Sequence, residues 1–101
     1  MALRAAATQR PDDPFPRYAL AQELRSLGDA REAWTVLAAL LDDHPDYVPG
    51  YAPAGELARL HGESSRARAL FERGIEAASR KGDSHTAQRL REALDDLGED
   101  R

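Results

Sequence analysis

The chain has 101 residues, is 42% hydrophobic and 32% charged, and carries a net charge of −4 with no cysteine. That length suits one domain with a modest core, and the missing cysteine removes disulfides, thiol nucleophiles and thiolate metal sites. The acidic balance argues against nucleic-acid binding. No apolar run approaches the roughly 20 residues that span a bilayer, and the apolar start at residues 1–7 is short for a secretory leader, so no membrane partner and a cytoplasmic location are expected.

Alternating β-branched runs and Asn-Gly or Asp-Gly turns are missing, so the reading is all-α. Leu3, Ala6 and Ala7 allow a short helix in residues 1–9. Asp13 is a good N-cap ahead of Pro14, whose missing N–H costs nothing at the first helical position. A helix over about 14–27 follows on the spacing of Leu20, Leu24 and Leu27, and Gly28 ends it. Asp29 with Glu32 forms a capping-box pattern for the next helix, about 30–43, whose stripe is Ala30, Ala33, Trp34, Leu37, Leu40 and Leu41.

The third predicted helix, about 48–61, contains Pro49, Gly50, Pro53 and Gly55. A proline in a helix interior costs about 3 kcal/mol, so this helix is expected to begin late or with a distorted first turn. Its small face (Ala54, Gly55, Ala58) allows close approach but contributes little burial. Ser64 is the expected cap of a helix over about 64–80 with Ala67, Leu70, Phe71, Ile75 and Ala78 on one side. Gly82 and Asp83 interrupt the chain, and a last helix, about 84–97, carries Ala87, Leu90, Ala93, Leu94 and Leu97. Residues 98–101 are expected to fray.

These elements repeat. A shift of 34 residues places Ala21 on Gly55, Leu24 on Ala58, Gly28 on Gly62, Asp29 on Glu63, Ala33 on Ala67 and Leu37 on Phe71. Two helices per 34 residues is the period of a tetratricopeptide solenoid. Counted from Pro14, residues Leu20, Ala21, Leu24, Gly28, Ala33, Leu37, Leu40 and Pro45 match the large, small and turn positions of the tetratricopeptide repeat consensus. The second unit matches through Ala54, Gly55, Ala58, Gly62, Ala67, Phe71 and Gly74, and departs at Ser79 where proline would stand. The chain resembles that family, and residues 13–21, 24–28 and 44–51 are similar to a group of small bacterial, stand-alone members.

The resemblance implies an α–α superhelix in a single domain over 1–101, with repeats at about 14–47 and 48–81 and a capping helix at about 84–97. It also implies a non-catalytic module that binds another protein or a peptide in a concave groove lined by the first helix of each repeat. The implied groove positions are Phe15, Tyr18, Gln22, Arg25 and Ser26, then Pro49, Ala52, Glu56, Arg59 and Leu60. The partner-binding candidates among them are Phe15, Tyr18, Gln22, Arg25, Glu56 and Arg59. The lysine and asparagine with which chaperone-adaptor members clamp a terminal carboxylate are replaced by Tyr18 and Gln22, then Ala52 and Glu56. Tyr47 and Tyr51 read as packing residues.

No catalytic residues, cofactor or metal site are expected. His44, His61 and His85 have no second ligand at metal-binding spacing, and Ser64-Ser65 has no base arranged to activate it. Residues 11–63 are acidic, whereas Arg66, Arg68, Arg73, Arg80, Lys81, Arg89 and Arg91 make 64–91 basic. That asymmetry supports an alternative reading, a self-associating homodimer with no separate ligand.

Overall fold

The computed structural model describes residues 2–99, which form six α-helices and one 3-10 turn and no strand. In chain order these are α1 (Ala2–Gln9), α2 (Pro14–Ser26), α3 (Ala30–Asp43), the 3-10 turn (Val48–Gly50), α4 (Tyr51–Leu60), α5 (Ser64–Arg80) and α6 (Ser84–Glu99). Contacts divide the chain between Pro45 and Asp46 into two compact units. In the first, α2 packs on both α1 and α3; in the second, α5 packs on both α4 and α6.

The helix boundaries follow from local chemistry. Asp13 accepts a hydrogen bond from the Phe15 N–H at 3.0 Å and Pro14 opens α2. At its other end Gly28 has φ +84°, the Gly28 N–H reaches the Arg25 carbonyl at 3.0 Å, and the Asp29 N–H reaches the Leu24 carbonyl at 2.9 Å. This paired pattern around a left-handed glycine is a Schellman turn. It recurs at Gly62 and at Gly82, which have φ +77° and +72°, with N–H groups of Glu63 and Asp83 bonded back to Ala58 and Ala78 at 2.9 and 2.8 Å. One turn chemistry therefore joins α2 to α3, α4 to α5 and α5 to α6.

The acids that follow these glycines behave differently. Asp29 accepts from the Glu32 N–H at 3.2 Å, but the capping box is half formed because the Glu32 carboxylate pairs with Arg4 instead, tying α3 to α1. Asp83 accepts from the Thr86 N–H at 3.1 Å. Hydrogen bonds from the Thr86 side chain and backbone hold the Asp83 carboxyl below its ordinary 3.8. Glu63, not Ser64, is the N-cap of α5 and makes no side-chain cap bond. Its longer side chain reaches Arg66 at 3.4 Å.

The expected late start of the third helix is present. Val48–Gly50 form the 3-10 turn and α4 begins at Tyr51. Pro53 thus falls in the first turn, where backbone N–H groups have no intrahelical partner, and its missing donor costs nothing. The expectation of little burial is corrected: Tyr51, Pro53, Ala54, Gly55, Leu57 and Ala58 are all buried. Tyr51 and Leu57 supply the volume that the small residues lack.

The first unit's core is built from Leu20, Ala21 and Leu24 with Ala33 and Leu37, and Trp34 and Ala30 are only half-buried. Full burial of a leucine such as Leu37 stabilises by roughly 1.5–3 kcal/mol. In the second unit Gly55 and Gly74 set the spacing. A Cβ on Gly55 would lie 2.7 Å from Phe71 Cδ1, and one on Gly74 would lie 2.6 Å from Tyr51 Cβ. Ile75 is half-buried rather than core. The last helix continues to Glu99, past its expected end, with Leu97 buried at 3% exposure. Gly98 is helical rather than frayed, and the expectation for residues 100–101 lies outside the described residues.

Candidate functional site

Four of the six candidate residues stand on α2 at the i, i+3, i+7 and i+10 positions Phe15, Tyr18, Gln22 and Arg25. Such spacing places them along one stripe of a helix. The opposite stripe, Leu20, Ala21 and Leu24, is buried, which turns the candidate stripe outward. Phe15 is 61% exposed, and Tyr18, Gln22 and Arg25 are half-buried. Their side chains are linked: Arg25 Nη1 donates to Gln22 Oε1 at 3.1 Å, and Gln22 Nε2 donates to Tyr18 Oη over a long 3.5 Å.

The other two candidates, Glu56 and Arg59, form a forked pair on α4 in the second unit. Arg59 Nε donates to Glu56 Oε2 at 3.1 Å and Arg59 Nη2 to Glu56 Oε1 at 2.6 Å. Both side chains remain more than a third exposed or close to it, so solvent screens the pair and its net contribution is small. Of the remaining implied positions, Ser26, Pro49 and Ala52 are exposed, and Leu60 is 63% exposed. The structure brings Tyr18, Gln22 and Arg25 together in one unit and Glu56 with Arg59 in the other.

Three contacts away from these stripes were not read from the sequence. Arg17, with its side chain 14% exposed, donates to Asp43 Oδ2 at 2.9 Å and to the Pro11 carbonyl at 3.2 Å. That guanidinium offsets an acid at the unfavourable C-terminal end of α3. Arg73 lies over the Tyr51 ring, 5.6 Å from its centroid, a cation–π distance. Lys81 stands 3.9 Å from Asp46. Only the doubled acid at 42–43 signalled the first of these in the sequence.

Among the described residues no three His, Cys, Asp or Glu side chains gather as a metal site, and no helix is long and apolar enough to cross a membrane. His44 caps the C-terminus of α3 with its Nε2 3.4 Å from the Pro11 carbonyl, His61 occupies the same place after α4, and His85 is exposed.

No family model and no curated protein matches the chain. Solved structures do. The solution structure of a tetratricopeptide repeat domain protein from Salinibacter ruber is 32% identical with a TM-score of 0.85, over 90% of this chain and 92% of that one. The chain belongs to the tetratricopeptide repeat (TPR) family. The crystal structure of the Salinibacter ruber TPR domain protein agrees, at 31% identity and a TM-score of 0.85, over 88% of this chain and 99% of that one. A protein from Bordetella parapertussis, solved in solution, is 26% identical with a TM-score of 0.79, over 97% and 85% of the two chains. The glycine turn that joins α2 to α3 also joins α4 to α5 and α5 to α6.

Proposed function

We propose that this TPR protein is a non-catalytic interaction module that takes a peptide or helix of another protein on the faces of α2 and α4, in the cytoplasm and without a cofactor. The observation that carries this reading is the outward stripe of α2. Phe15, Tyr18, Gln22 and Arg25 stay accessible on a helix whose other side is core, and they combine rigid aromatic area with forked donors, the composition of binding hot spots. Glu56 and Arg59 form a polar pair on α4.

Capture of a partner from lysate tests the proposal. Tyr18→Ala and Arg25→Ala are expected to abolish capture, with about tenfold weaker binding for each in titration. Reversal of the basic side chains, Arg66→Glu, Arg68→Glu and Arg73→Glu together, is expected to leave capture unchanged. The homodimer reading makes the opposite demand. Under it the triple reversal splits the oligomer in sedimentation and the α2 variants are silent. Retained capture by Tyr18→Ala and Arg25→Ala counts against the groove.

A further inference from the structure

The two repeats carry the same pair of positions with one difference in charge. Shifted by 34 residues, Gln22 falls on Glu56 and Arg25 on Arg59. In the second repeat the carboxylate of Glu56 fills the Arg59 fork with bonds of 3.1 and 2.6 Å and cancels its charge. In the first repeat Gln22 accepts one bond, from Arg25 Nη1 at 3.1 Å, and cancels nothing. No acid pairs with Arg25 among the described residues. Among the described residues Arg17 Nε is the one buried side-chain nitrogen without a partner, so the remaining Arg25 donors reach solvent. The result is a guanidinium held in place by Gln22, with its charge and two of its donor groups unused.

We propose that Arg25 receives the side-chain carboxylate of an Asp or Glu within a partner peptide whose apolar residue covers Phe15. The proposal rests on the groove reading above and names its ligand chemistry. Charge complementarity selects the anion, because a guanidinium fork pairs best with a carboxylate. The 61% exposed Phe15 selects the apolar contact. The ten residues from Phe15 to Arg25 rise about 15 Å along α2. An extended peptide covers that length in four or five residues at about 3.3 Å each. The expected motif is an acidic residue four or five positions from an aromatic or large aliphatic one. Glu56 and Arg59 exclude a second carboxylate from the other repeat, since their charges are already matched.

The test is a phage library of random 12-residue peptides, fused at their C-termini so that no free terminal carboxylate is offered, panned against the full chain. Enriched peptides are expected to carry the acidic–apolar spacing. A fluorescent synthetic copy of the enriched peptide is expected to lose at least tenfold in affinity for Gln22→Glu, which copies the Glu56–Arg59 pair into the first repeat. Arg25→Gln is expected to lose as much, and Arg91→Gln, at an exposed position of α6, to change affinity less than twofold. Circular dichroism checks that Gln22→Glu folds, as its counterpart pair in the second repeat already does. Amidated and free-acid peptides are expected to bind alike; a tenfold preference for the free acid overturns the side-chain source. Enriched peptides that lack acids yet lose binding on Tyr18→Ala overturn this inference and leave the groove reading standing. Binding to Gln22→Glu within twofold of the parent also overturns it. A library that enriches nothing overturns both.

Discussion

At φ +84° Gly28 occupies left-handed space, and nothing lies within 4 Å of where its Cβ would stand. Any cost of a side chain there is backbone strain alone, about 1–2 kcal/mol for an L-residue and at the upper end for a β-branched one. Gly55 is the reverse case. Its φ is ordinary for a helix, but a Cβ would meet the Phe71 ring, with Cδ1 at 2.7 Å and Cζ at 2.8 Å. Alanine there gains helix propensity and loses more to overpacking, typically 1–3 kcal/mol. Urea unfolding separates the two causes. Gly28→Val and Gly55→Ala are both expected to lower stability by about 1–3 kcal/mol. In a Phe71→Leu background the Gly55→Ala loss is expected to shrink by at least about 0.5 kcal/mol while the Gly28→Val loss is unchanged, because only the first pair touches. Equal losses in both backgrounds would contradict the packing account.

The helices differ in how far their sequences disclose them. The bounds of α3 and α5 are legible because Gly–acid turns precede them, and Pro45 and Gly82 stop the chain behind them. Ser64 nevertheless looks like a cap and is not, since the Schellman turn at Gly62 already makes Glu63 the N-cap. The last helix outruns its reading because Gly98 resembles a stop, whereas Leu97 is buried and holds the turn. For the candidate stripe, the family resemblance names the positions, and the 34-residue register pairs Gln22 with Glu56. Which arginine is neutralised depends on side-chain placement that the register does not contain. The burial of α4 is only partly legible: Tyr51 reads as a packing residue and is buried, whereas the small face of Ala54, Gly55 and Ala58 gives no sign that Pro53 and Leu57 are buried as well. Pro53 measures this directly. A proline in a helix interior, when replaced by alanine, returns about 3 kcal/mol. At the third position of α4 it blocks no hydrogen bond, so Pro53→Ala is expected to change stability by less than about 1 kcal/mol, with the lost burial offsetting the propensity gain. A gain near 3 kcal/mol in the denaturation midpoint analysis would mean that α4 begins earlier than Tyr51.

At the scale of the whole molecule, the last helix packs on α5. Ala87, Leu90 and Leu97 of α6 are buried, whereas His85, Gln88, Arg89, Glu92, Asp95 and Asp96 are exposed. A repeat unit has an apolar side that its neighbour would cover, and a terminal helix with a polar outer face covers it instead. In the second unit that cover is close. Leu90 Cδ1 would stand 2.9 Å from a Cβ on Gly74, opposite the same glycine that receives Tyr51. Burying Leu90 and Leu97 contributes about 3–6 kcal/mol between them, a large part of the 5–15 kcal/mol that stabilises a typical domain. Ending the chain after Gly82 is therefore expected to lower the urea midpoint of the second unit and broaden its transition, while α1–α3 keep the contacts they make among themselves. The uncovered side of α5 is expected to drive self-association, stronger than that of the full chain when both are compared by sedimentation across concentration, because exposed contiguous apolar surface seeks a partner. Leu90→Asp in the full chain is expected to reproduce both effects without shortening it. An unchanged midpoint in the truncated chain would show that α6 is an appendage, and that the apolar side of α5 is closed by α4 alone.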